Sequence, residues 1–220
     1  MHHEHLENQL GRFSFDIDLQ TRTEELETVH RRLEAASPKL RLLSRLNEGL
    51  YQYEARAGRR VVRVELARPY LRHRRRYEPS RHVPGLEVVA LADLLFAKVS
   101  AFSTRGFPRD FIDLFAASTE KRIDWDKLLA AAARAEDNDY NPAEFATRIS
   151  EQLRAIRDGG FFEDLPVRRS PSVGELEAFA GQLARANGRV AEALLGQSHL
   201  APPASWSVRR PRATADGERE

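Results

Sequence analysis

Two aspartates one residue apart, Asp16 and Asp18, are the first groups in this chain with a clear capacity for chemistry. They lie in Phe13-Ser14-Phe15-Asp16-Ile17-Asp18-Leu19-Gln20, a stretch that alternates apolar and polar residues with the period of a strand that buries one face. Both carboxylates then share the open face. Aspartate is disfavoured in strands and two side by side repel, so the pair suits a bound Mg²⁺ or Mn²⁺ of the kind phosphoryl-transfer enzymes use. An exposed polar strand face accounts for the same pattern.

A third acid follows in Val61-Val62-Arg63-Val64-Glu65-Leu66-Ala67, where alternation sets Glu65 opposite Val62, Val64 and Leu66. If this strand neighbours the first, Asp16, Asp18 and Glu65 converge as the ligand set for two metal ions about 4 Å apart. A solvated glutamate paired with Arg63 or a nearby arginine is the alternative. Further on, Lys98, Ala101 and Arg105 fall on one helical stripe, with Lys98 among apolar neighbours, as a charge aimed at a ligand phosphate would be. Asp110 and Asp113 are three apart and Arg109 is four before Asp113, so these residues share a helix face and can pair. A helix start with acids at its positive end and one salt bridge reads equally well from this pattern.

These residues need elements to hold them. After the first strand, Thr21-Arg22-Thr23-Glu24-Glu25 resembles a capping box, and Leu26, Val29, Leu33 and Ala36 then recur at helical spacing up to Pro38. Three β-like runs come next, Lys39 to Leu46, Leu50 to Arg56 and Arg60 to Ala67, joined by Asn47-Glu48-Gly49 and Ala57-Gly58-Arg59, which predicts an antiparallel meander. Tyr70 to Pro84 reads as a basic, proline-marked loop. Apolar spacing predicts a helix from Leu91 to Ser103, a break over Thr104 to Pro108, and a second helix from near Arg109. Ile123 to Ala135, Pro142 to Ile156 and Val173 to Leu195 read as further amphipathic helices, and the Pro-, Arg- and Glu-rich stretch from His199 to Glu220 as disordered.

Taken together, Arg12-Phe13-Ser14-x-Asp16-Ile17-Asp18-Leu19, the strand glutamate Glu65, and Lys98 followed by Arg105, Arg109-Asp110 and Asp113-Leu114 resemble the abortive-infection nucleotidyltransferases of AbiEii type, the toxin halves of toxin–antitoxin systems. The resemblance covers about residues 10 to 118, with the motifs in the family's order. It implies an α+β fold, a polymerase-β-like nucleotidyltransferase core with a small mixed or antiparallel sheet, followed by a helical C-terminal region. The expected divisions are 1–121 for the core, 122–197 for the helical region and 198–220 for the tail. It further implies transfer of a nucleotide from a nucleoside triphosphate to an acceptor such as tRNA, and a cognate antitoxin as partner. Asp16, Asp18 and Glu65 would be metal ligands, and Lys98, Asp110 and Asp113 catalytic. Ser14, Lys98, Arg105 and Arg109 would contact the nucleotide. In the family a Gly-Gly-(Ser/Thr) turn precedes Asp-x-Asp and cradles the triphosphate, and residues 1–10, with His2, His3 and His5, carry no such turn. The expectation is a chain that begins inside a longer protein, or a catalytically degenerate copy that binds RNA or a protein partner.

Composition narrows the surroundings. The chain has 220 residues and no cysteine, which excludes a disulfide framework, a thiolate zinc site and a cysteine nucleophile, and suits a reducing cytoplasm. Its longest apolar run, Val88 to Val99, is interrupted by Asp93 and too short to cross a bilayer, so a soluble, cytoplasmic protein without membrane contact is expected. The net charge is only +2, yet Arg56 to His82 holds ten arginines against two acids, Glu65 and Glu78. Within that window Arg72, Arg74, Arg75 and Arg76 form a cluster suited to a triphosphate or to an RNA backbone, or a solvated loop.

Overall fold

The computed structural model describes residues 16–20, 26–36, 40–46, 49–57, 60–67, 77–81, 87–135, 138–161, 167 and 170–198, with only the backbone of 16–18, 20, 36, 57, 60, 197 and 198. The segment bearing Asp-x-Asp forms strand β1 (Asp16–Gln20), and helix α1 (Leu26–Ala36) follows it. The predicted meander is present as β2 (Leu40–Leu46), β3 (Leu50–Ala57) and β4 (Arg60–Ala67), with antiparallel pairing between β2 and β3 and between β3 and β4. β1 joins this meander at its far edge, parallel to β4, so the sheet order is β1-β4-β3-β2.

One face of the sheet buries Tyr51, Tyr53, Val64 and Leu66 against Leu26, Val29 and Leu33 of α1. The amphipathic spacing of the helix therefore matches the alternation of the strands. Polar groups cross this small core in pairs: the Tyr51 hydroxyl donates to Glu27, His30 Nδ1 lies 2.7 Å from the Tyr53 hydroxyl, and the His30 ring stacks on Tyr51 with centroids 4.3 Å apart. Burial pushes the Tyr53 phenol up to about 12.

The basic segment predicted as a loop contributes a short strand, β5 (Tyr77–Pro79), paired antiparallel with β6 (Glu87–Val89). Five helices then follow among the described residues: α2 (Leu91–Arg105), α3 (Pro108–Glu120), α4 (Trp125–Arg134), α5 (Pro142–Arg157) and α6 (Val173–Ser198). They close a second, larger core. Phe111 and Phe115 of α3 and Trp125 of α4 pack around Phe179 of α6 at centroid distances of 5.3, 5.4 and 5.7 Å, while Phe102 of α2 meets Phe145 of α5 edge-on at 5.2 Å. Residues of α2 and α3 share this core with residues of α4, α5 and α6. Among the described residues no helix is long and apolar enough to cross a membrane.

Candidate active site

Among the described residues, the expected site residues fall into two groups. The first lies on the sheet. Parallel pairing sets Asp18 in register with Glu65 and Asp16 with Arg63, so two of the three acids occupy adjacent positions on neighbouring strands. Glu65 is half-buried, and its Oε1 accepts a hydrogen bond of 2.8 Å from Gln52 Nε2 on β3, on the face turned away from Tyr51 and Tyr53. That bond holds the carboxylate through one of its two oxygens. The ligand roles expected for the Asp16 and Asp18 side chains lie outside the described residues, as do Ser14, the cluster Arg72, Arg74, Arg75 and Arg76, and the tract His2, His3 and His5. Among the described residues no group of three or more acids or histidines forms a metal cluster.

The second group lies where α2 turns into α3. α2 ends at Gly106, whose left-handed backbone (φ 62°) lets its amide bond the carbonyl of Phe102, and α3 begins directly after Phe107 with Pro108 at its first turn. Over residues 110 to 117 α3 is buried on every side. Asp110 and Asp113 are thus carried inside, both with 0 % exposure, and burial of a carboxylate demands a partner. Lys98 reaches across from α2, its Nζ 2.6 Å from Asp113 Oδ2 and 3.1 Å from Asp110 Oδ1. Arg105 grips Asp110 through two bonds, Nε to Oδ2 at 2.7 Å and an η nitrogen to Oδ1 at 2.9 Å. These bonds hold the Arg105 guanidinium above its ordinary pKa. Two cations and two anions therefore form one charge-balanced knot.

Its pairing differs from the one expected. Asp113 takes the Lys98 ammonium, while the guanidinium of Arg109 lies over the ring of Phe107, 5.2 Å from its centroid. An exposed arginine at the start of α3 reaches the exposed ring beside it, whereas Asp113 points into the seam between the two helices. Lys98, expected as a charge directed at phosphate, is in this structure held by the two aspartates and keeps 22 % of its side chain exposed.

From α5, Arg148 donates to the carbonyl of Thr104 at 3.2 Å and Gln152 to that of Gly106 at 2.8 Å, which fixes the turn carrying Arg105. Sequence reasoning did not find these two supports. Their long spacing from the turn, 44 and 46 residues, leaves no local pattern to read.

No family model matches the chain, and no curated protein and no solved structure matches it significantly.

Proposed function

We propose that the chain is a metal-dependent nucleotidyltransferase of AbiEii type, transferring a nucleotide from a nucleoside triphosphate to an acceptor such as tRNA. The observation that carries this reading is the parallel pairing of β1 with β4, which puts Asp18 in register with Glu65. Sequence alternation could group Asp16 with Asp18, but only this pairing brings a third acid beside them. Carboxylate oxygens are the donors that Mg²⁺ and Mn²⁺ favour, and Asp16, Asp18 and Glu65 would hold the metal. A divalent cation held there would supply activation of an attacking hydroxyl and charge to offset the leaving group.

In the reaction, the acceptor oxygen forms a bond to the α-phosphorus, the bond to the bridging oxygen of the β-phosphate breaks, and pyrophosphate leaves as the hydroxyl proton is lost. Lys98, Arg105 and Arg109 supply positive charge for the phosphates. Asp110 and Asp113 act by fixing Lys98 and Arg105, so that the charge is already oriented when the triphosphate arrives. The arginines at 72, 74, 75 and 76 would hold an RNA backbone, and a cognate antitoxin would be the protein partner.

A second reading, a catalytically degenerate protein that binds RNA or a partner, is favoured by the full engagement of Lys98 with two buried carboxylates, which a purely structural knot would also show. Incubation with each labelled triphosphate, total tRNA and Mg²⁺ separates them. The transferase reading expects labelled RNA, with the label absent in Asp18→Asn and Lys98→Ala; RNA binding with no transfer from any triphosphate would establish the second.

A further inference from the structure

Phe107 departs from a local preference of helix starts. It stands at the N-cap of α3, where Ser, Thr, Asp or Asn would accept a backbone hydrogen bond, and it makes no such bond. It is also a large apolar side chain left 47 % exposed beside a core rich in phenylalanine. Both guanidinium groups near it face its ring: Arg105 at 5.3 Å from the centroid and Arg109 at 5.2 Å. Arg105 is anchored from behind by Asp110, and Arg109, exposed, has no ion pair among the described residues.

The backbone beneath is fixed. Gly106 is held in its left-handed turn by the Phe102 carbonyl, and Gln152 of α5 clasps the Gly106 carbonyl. The Phe107 carbonyl in turn accepts the amide of Asp110 at 2.9 Å. An aromatic ring on a fixed backbone, about half open to solvent and with two guanidinium groups over it, has the chemistry of a stacking platform for a flat base with an adjacent phosphate.

We infer that Phe107, with Arg105 and Arg109, is a nucleobase-stacking site at the α2–α3 turn. This rests on the transferase reading only in that the same turn carries the Lys98 and Asp110 knot. The base belongs either to the incoming triphosphate or to the acceptor RNA, and the two sources share this chemistry.

The test is fluorescence anisotropy with a labelled single-stranded RNA oligonucleotide, the same oligonucleotide made abasic, and the four triphosphates as competitors. Phe107→Leu keeps the apolar bulk and removes the π face, so binding should weaken about tenfold. Phe107→Trp should bind as the parent does or more tightly, and the abasic strand should not distinguish the variants. Dependence on Phe107 confined to the competitors assigns the base to the triphosphate, and dependence confined to the oligonucleotide assigns it to the acceptor. Equal binding by Phe107→Leu and the parent in both arms, or no binding by the parent in either, overturns the inference. The transfer assay on the same variants separates the two claims: normal transfer together with unchanged binding in Phe107→Leu removes the platform and keeps the enzyme, whereas Phe107-dependent binding with no transfer does the reverse.

Discussion

Lys98 has two duties in this account, and its surroundings show how they can be told apart. Its ammonium neutralises Asp110 and Asp113, which have no exposure of their own, so Lys98→Met leaves buried negative charge under-compensated. With 22 % of the lysine side chain exposed to solvent the destabilisation is smaller than for a fully buried pair, about 2 kcal/mol in a urea melt. A fall in transfer far steeper than that fall in stability would mark a role beyond the knot. Tyr53 gives a second residue-scale expectation. Its phenol stays neutral in the folded protein up to about 12, whereas in the unfolded chain it ionises near 10. The stability it contributes is therefore complete below about pH 10 and declines as pH rises toward 12. Chemical denaturation across that window should show the decline, and Tyr53→Phe should lessen it, the phenols of Tyr51 and Tyr140 being raised as well; an unchanged slope would place the alkaline transition on those groups.

At the scale of elements, the turn between α2 and α3 is the most sensitive point. A β-carbon on Gly106 would come within 2.4 Å of Arg148 Cδ, at a backbone φ of 62° that other residues resist. Gly106→Ala should cost about 1–2 kcal/mol in thermal or urea unfolding from the left-handed backbone alone, and a cost near zero would contradict the strain assigned to this turn. The elements differ in how far they could be read from sequence. The β2–β3–β4 meander was legible nearly to the residue because alternation and the turns around Gly49 and Gly58 are local signals. The choice of β4 as the parallel neighbour of β1 was not, since no local pattern in either strand encodes a partner so distant in sequence. β5 was concealed by Pro79 and by the arginines before it, which read as loop. In α3 the residues were identified but the depth of Asp110 and Asp113 was not. The apolar run Phe111, Ile112, Leu114, Phe115 around them is the signal that the helix is buried on all sides.

Across the whole molecule, the sheet with α1 and the five-helix assembly each close their own core, and the proposed chemistry draws on residues of both: acids on β1 and β4, cations on α2 and α3. The charge asymmetry of the chain belongs to the same scale. If RNA is held by the arginine-rich window, changing Arg72, Arg74, Arg75 and Arg76 to glutamine should weaken binding irrespective of sequence and reduce the slope of log affinity against log salt by about one for each phosphate no longer neutralised. An unchanged slope would mark those arginines as a solvated loop.

The central claim is that β1 and β4 together present one divalent-cation site, and a manganese titration followed by electron paramagnetic resonance tests it most directly. The parent chain should remove free Mn²⁺ signal with saturation, Asp16→Asn/Asp18→Asn should abolish this uptake, and Glu65→Gln should weaken it by about tenfold or more. Uptake by the double variant equal to that of the parent would contradict the account.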